Sequence, residues 1–193
     1  VIQVNDAPSI SRYNGAGSFA EDSEITFSSS EFGISDPDGI DQTFTISVLE
    51  GNNYIIVADG AGLKPVENFN GSLSVSVVAK DQDGALSNAF QFDLDVYAVN
   101  DGPMLTNLAI TPAVPTIDDN LSVSYLTEDI DNDAVTVTIK WYKNGLLETS
   151  QTGIVVNASA TVCNEEWYAI VTPNDGTTDG ESYTSNSVEI CGA

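Results

Sequence analysis

The phrase Val-Asn-Asp-Ala-Pro begins at Val4 and returns as Val-Asn-Asp-Gly-Pro at Val99, 95 residues later. Self-similarity at a domain-sized period marks tandem modules, each of which must bury its own core. Other carboxylates keep step with the phrase. Counted from Asp6, Asp36 follows after 30 residues and Asp81 after 75; counted from Asp101, Asp129 follows after 28 and Asp175 after 74. The residues between share little identity, so what recurs is a set of oxygen donors. The chain has 193 residues, which suits two domains of about 95 residues, read as 1–100 and 101–193.

Alternation sets the fold class. "SLSVSVVAK" places Leu73, Val75, Val77 and Ala79 on one face, "FQFDLDV" does so with Phe90, Phe92, Leu94 and Val96, and "VTVTIKW" with Val135, Val137, Ile139 and Trp141. A period of two is that of half-buried strands. Helical periodicity is absent, and the connections are Asp-Gly, Asn-Gly and Asn-Asp-Gly clusters, which are turn chemistry. The expectation is an all-β chain of two tandem Greek-key β-sandwiches with about seven strands each.

Acidic residues outnumber basic ones 29 to 5, for a net charge of −24, yet 41% of residues are hydrophobic. That combination describes folded domains with an acidic surface, not a disordered acidic tail. Nucleic acid is excluded as a partner, because Arg12, Lys64, Lys80, Lys140 and Lys143 are the only cations available to neutralise phosphates. No apolar run approaches the roughly 18 residues of a membrane-spanning helix. No signal peptide is read at the start, and the expectation is a mature fragment of something longer.

Taken singly, Asp-Gly is a common turn pair and a lone Asp-x-Asp is more often a solvated loop than a metal site. Taken together they ask for a cation. In a Greek-key sandwich the loop holding Asp-x-Asp and the turn after the penultimate strand open at the end where the preceding linker arrives. Carboxylates gathered there repel one another, and a hard divalent cation removes that cost. Ca²⁺ suits the donors better than Zn²⁺ or Mg²⁺: many flexible oxygens are offered, there is no His, and the two Cys lie outside the clusters.

"FAED", "SDPDG", "FNGSLSVSVVAKDQDG" and "VNDGP" resemble the cadherin-type repeats of large prokaryotic extracellular, adhesin-type proteins, in their Glu motif, Asp-x-Asp, Ala-x-Asp turn and Asn-Asp linker. The resemblance covers residues 1 to about 103 well. Beyond it, "ITPAVPTIDDNLSVSYLTEDIDND", "IKWYKNG" and "AIVTPNDG" resemble the Ig-like or cadherin-like modules that accompany such repeats. The resemblance implies a Ca²⁺ site at the interdomain junction. Its ligands would be Glu21, with Glu67 or Asn68 as weaker candidates, from the first domain; Asn100 and Asp101 from the linker; and Asp129, Asp131 and Asp175, with Asp133 in reserve, from the second. It also implies a half-site at the N-terminal end, made of Asn5, Asp6, Asp36, Asp38 and Asp81. Both depart from the cadherin pattern in one place: the Asp two residues before the linker Asn is Ala98 in one and Gln3 in the other. Fewer ions or weaker binding is expected.

Cys163 precedes the strand "WYAIVT" and Cys191 closes "SVEIC". If those strands are antiparallel neighbours the two form a disulfide at the far end of domain 2; otherwise they are two buried thiols. A disulfide would fit an extracellular compartment, as would the sequons at Asn70, Asn120 and Asn157 in a host that glycosylates.

With no His for general-base work and no Gly-flanked Ser, the chain is read as not an enzyme. The expected function is a Ca²⁺-rigidified structural module, a spacer of a cell-surface adhesin, stalk or filament, whose partners are neighbouring repeats or copies of itself. The alternative is a Ca²⁺-dependent module that binds a surface polysaccharide or a protein through exposed Trp141, Tyr142, Trp167 or Tyr168. In each of those two aromatic pairs, one ring is expected in the core and one outside. "VIQV" at the start could pair with an open sheet edge of a neighbouring copy.

Overall fold

The computed structural model describes residues 4–39 and 42–191, and the chain divides into two compact units, Val1–Val99 and Asn100–Ala193. Both are all-β. Unit 1 contains β1 (Ser9–Tyr13), β2 (Ser18–Ala20), β3 (Ile25–Thr26), β4 (Phe32–Ser35), β5 (Thr45–Val48), β6 (Tyr54–Val57), β7 (Gly62–Pro65), β8 (Gly71–Lys80) and β9 (Phe90–Tyr97). They form a sheet in the order β2-β9-β8-β5, a second in the order β3-β7-β6, and a β1-β4 pair.

The alternation of β8 is realised as expected: Leu73, Val75, Val77 and Ala79 are at most 1% exposed, and their side chains meet Phe19, Phe27, Phe32, Ile46 and Leu63 in one core. Aromatic rings close one side of it. Tyr13 stacks on Phe92 at 4.3 Å and Phe27 meets Phe92 edge-on at 5.6 Å. Strand β9 runs antiparallel to β8, while β2 runs parallel to the last residues of β9, with Ala20 opposite Tyr97. That short parallel strand delivers Glu21, the next residue, to the base of the unit.

Unit 2 contains β10 (Met104–Thr111), β11 (Leu121–Glu128), β12 (Thr136–Lys143), β13 (Leu146–Glu148), β14 (Val155–Val156), β15 (Glu166–Asn174), β16 (Tyr183–Thr184) and β17 (Val188–Glu189). One sheet is ordered β10-β11-β14 and the other β13-β12-β15-β16, with β17 also on β15. Trp141 and Trp167 fill the space between the sheets, 0% and 1% exposed, edge to face at 6.3 Å. A buried indole N–H needs an acceptor. Trp141 Nε1 donates to Gly153 O at 2.8 Å and Trp167 Nε1 to Glu165 Oε2 at 3.1 Å.

The strands are nine and eight among the described residues, more than the expected number, because short pairings of two or three residues such as β2, β3, β14, β16 and β17 add to the long strands. Among the described residues three single turns of 3₁₀ helix interrupt the β pattern. The first, Ser29–Glu31, carries a capping box in which Glu31 Oε2 accepts the Ser28 N–H and Ser28 Oγ accepts the Ser30 N–H. Val1, Ile2 and Gln3, three of the four residues of the "VIQV" expected to be able to pair with a neighbouring copy, and with Gln3 one departure from the ligand pattern, lie outside the described residues.

Candidate metal centres

At the head of unit 1 the turn after β8 is wound around one carboxylate. Asp81 is 3% exposed, and its Oδ1 accepts the N–H groups of Asp83, Gly84 and Ala85 at 3.0, 2.6 and 2.8 Å. Its Oδ2 accepts Asn5 Nδ2 at 3.1 Å. Burial works to raise the Asp81 pKa, but the hydrogen bonds from Asn5, Ala85, Gly84 and Asp83 outweigh it and hold the carboxyl below its ordinary value. Beside it, the Asp6 N–H donates to Asp38 Oδ2 at 2.6 Å, and Asp36 Oδ1 accepts the Asp38 N–H at 2.8 Å and Gln42 Nε2 at 3.3 Å.

The head of unit 2 repeats the two long-range bonds of this scaffold. Asn100 Nδ2 donates to Asp175 Oδ2 at 2.8 Å, as Asn5 does to Asp81, and the Asp101 N–H donates to Asp131 Oδ2 at 2.8 Å, as Asp6 does to Asp38. Asp175 Oδ1 collects the N–H groups of Thr177 and Thr178, both at 2.6 Å. The Thr178 amide, Asn100 and the Thr177 amide, in that order, keep the Asp175 carboxyl below its ordinary value against the effect of burial. Asp129 Oδ1 accepts the N–H of Asp133, whose own side chain is exposed.

At the base of unit 1, Glu21 is 3% exposed. Its backbone N–H continues the parallel ladder to Tyr97 O at 3.1 Å, and its Oε1 accepts the Val99 N–H at 2.8 Å. Glu67 and Asn68 are elsewhere in character: both are exposed on the turn closed by Phe69 N–H to Val66 O, with Asn68 at φ +59°.

Several buried oxygens remain without a hydrogen-bond partner: Glu21 Oε2, Asp36 Oδ2, Gln42 Oε1 and Asp129 Oδ2. Folded proteins rarely leave such atoms unsatisfied, because an unpaired buried polar atom costs free energy. All four are oxygens, three of them carboxylate. Hard, oxygen-only donors at flexible loop positions fit Ca²⁺ and do not fit a metal that requires nitrogen or sulfur. Among the described residues no three acidic or cysteine side chains converge as a ready-made metal cluster; the carboxylates turn instead to the amide donors just described. Gln42 went unread in the sequence, where an amide six residues after Asp36 carries no signal of its own; only the folded loop brings Nε2 to that carboxylate.

The aromatic platform is corrected for its tryptophans, which are core residues. Of the four rings, Tyr142 and Tyr168 are half-buried and stack on each other at 4.9 Å, 3° from parallel. Each ring therefore covers a face of the other. Cys163 and Cys191 form a disulfide with Cα atoms 5.1 Å apart, where β15 and β17 pair antiparallel with Glu166 opposite Glu189.

No protein-family model matches the chain, and no curated protein matches it. Among solved structures it is similar to human protocadherin-24 EC1-2 (form II), with a TM-score of 0.45 and 15% identity over 96% of this chain and 99% of that one. It is also similar to Drosophila N-cadherin EC1-3, with a TM-score of 0.35 and 12% identity over 96% of this chain and 68% of that one. The N-terminal eight Ig domains of Down Syndrome Cell Adhesion Molecule match with a TM-score of 0.45 and 12% identity over 96% of this chain, which spans 24% of that structure. No helix among the described residues is long and apolar enough to cross a membrane.

Proposed function

We propose that the chain is a structural module of an extracellular adhesin, stalk or filament, stiffened by Ca²⁺ and without enzymatic activity. The observation that carries this reading is the duplicated scaffold: Asn5–Asp81 with Asp6–Asp38 in unit 1, and Asn100–Asp175 with Asp101–Asp131 in unit 2. Turn formation alone requires neither that a linker Asn reach a carboxylate 75 or 76 residues away nor that it do so twice. Asn100, Asp101, Asp129, Asp131 and Asp175 are the residues of unit 2 that would hold an ion, and Glu21, whose Oε2 is buried and unsatisfied, is the residue of unit 1 that would. Asn5, Asp6, Asp36, Asp38 and Asp81 would form the half-site of unit 1. Partners would be neighbouring repeats or copies of the same protein.

Bound Ca²⁺ neutralises these carboxylates only when folding has gathered them, so it stabilises the native state by mass action. The test is thermal melting in Ca²⁺ and in EGTA, at concentrations above the affinities of about 10⁻⁴ to 10⁻³ M common in extracellular modules. A higher Tm in Ca²⁺ supports the reading, and small-angle scattering should then show a narrower spread of dimensions in Ca²⁺ than in chelator. Coincident melting curves would remove it.

A further inference from the structure

One backbone contact lets the base of unit 2 be aligned with the base of unit 1. In unit 1 the ladder that pairs Ala20 with Tyr97 leads directly to Glu21. In unit 2 the Cys191 N–H donates to Pro115 O at 2.8 Å, so the segment after β10 lies beside the end of the chain as β2 lies beside β9. Burial sets the register. Ile190, like Val96, is buried, and Pro115, like Phe19, is buried. Two residues after Phe19 comes Glu21; two after Pro115 comes Ile117, which is 50% exposed.

Two further exposed apolar side chains lie on the segments that meet at Cys191. Val114 precedes Pro115, Val162 precedes Cys163, and the disulfide brings these two segments together at Cys191; Val114 and Val162 are 65% and 64% exposed. Two carboxylates on these segments, those of Asp119 and Glu165, already have partners. Asp119 Oδ2 accepts the Thr116 N–H at 2.8 Å and its Oγ1–H at 2.7 Å. Glu165 Oε2 accepts the Val162 N–H at 3.0 Å and Trp167 Nε1–H at 3.1 Å, and its Oε1 lies 3.6 Å from Lys143 Nζ. Asp118 points to solvent. No oxygen here matches Glu21 Oε2, buried and unsatisfied, and an alkyl side chain cannot replace the water of a hydrated cation.

We propose that cation-dependent joining is one-sided in this chain: unit 1 offers a cation-binding base, whereas the base of unit 2, with Ile117 in the place of Glu21, excludes the ion and is locked by Cys163–Cys191 instead. Copies of the chain therefore do not string head to tail through Ca²⁺, because the base of one copy offers no buried, unsatisfied carboxylate like that of Glu21 to the Asn5, Asp6, Asp36, Asp38 and Asp81 head of the next. This rests on the Ca²⁺ reading above and adds a direction to it.

The experiment is a Ca²⁺ titration of the ¹⁵N-labelled full chain to about ten times the affinity range of extracellular modules, with sedimentation velocity on the same samples. Amide shifts are expected around Asn5–Asp6, Asp36–Asp38, Asp81, Glu21, Asn100–Asp101, Asp129–Asp133 and Asp175, and none at Val114–Asp119, Val162–Cys163 or Cys191, with the sedimentation coefficient remaining that of a monomer. Shifts at the base of unit 2, or Ca²⁺-dependent oligomers, would overturn the one-sided joint while leaving Ca²⁺ binding intact. A spectrum that does not respond to Ca²⁺ anywhere would overturn the binding and the direction together.

Discussion

Glu21 Oε1 accepts the amide N–H of Val99 at 2.8 Å, a contact across 78 residues that ties the end of unit 1 to the residue following β2. The other oxygen of the same carboxylate is buried and has no hydrogen-bond partner. One side chain thus does two things, and substitution separates them. Glu21→Gln keeps an oxygen for Val99 and removes the charge, so its Tm in EGTA should stay near that of the parent while the increase on adding Ca²⁺ shrinks. Glu21→Ala also strands the Val99 N–H, which costs about 1–3 kcal/mol in either buffer. An unchanged Ca²⁺ response in both variants would show that Glu21 is only a structural clamp.

Asp36 Oδ2 and Asp129 Oδ2 are the matching unsatisfied oxygens at the two heads. Replacing either residue by Asn removes a charge from a crowded acidic loop, so each variant should melt at or above the parent temperature in EGTA and gain less from Ca²⁺. Both tryptophans, Trp141 and Trp167, belong to unit 2, so indole fluorescence reports that unit alone. The fluorescence-detected melt should respond to Asp129→Asn and not to Asp36→Asn, whereas far-UV circular dichroism should respond to both.

Cys163 and Cys191 enclose a 28-residue separation, for which the loss of chain entropy corresponds to about 3.5 kcal/mol. Reduction should lower the fluorescence-detected stability of unit 2 by an amount of that order and leave unit 1 unaffected. Mass analysis of unreduced protein should find no free thiol. Equal stability before and after reduction would mean that Ile190, buried and hydrogen-bonded through Asn164 N–H to Ile190 O and Ile190 N–H to Glu165 O, holds the strand end unaided.

Asp119 provides a pH-dependent contribution away from the proposed ligands. The Thr116 backbone N–H, then its hydroxyl, lower the Asp119 pKa from 3.8 against a smaller effect of burial. The unfolded chain therefore binds the proton more readily than the folded one. The stabilisation is present in full above the unfolded value of 3.8 and is lost as pH falls through the lower folded value. An NMR titration of the Asp119 carboxyl should place its midpoint below 3.8, and Thr116→Val, which removes the hydroxyl and keeps the N–H, should move it part of the way back up.

The sequence by itself determined the fold class and the location of the acidic loops. Period-two alternation in β8, β9 and β12 can satisfy only a strand with one buried face, and the recurrence of Asp36, Asp81, Asp129 and Asp175 at matched offsets needs no coordinates to be seen. The capping box of Ser28 and Glu31 went unread, because a single 3₁₀ turn is too short to have a period. Tertiary structure decided the rest. Alternation in β12 already set Trp141 on the face of Val137 and Ile139, but only the packed sheets show that Trp167 shares that core and that Tyr142 and Tyr168 stack on each other. Glu67 carries the same carboxylate as Glu21 and Asn68 an amide oxygen, yet only the parallel pairing of β2 with β9 puts Glu21 in a buried position and leaves the other two on an exposed turn. Ile117 carries no signal as a replacement for Glu21 until Cys191 N–H meets Pro115 O, because a register between distant segments is set by which buried residues align and not by their spacing along the chain.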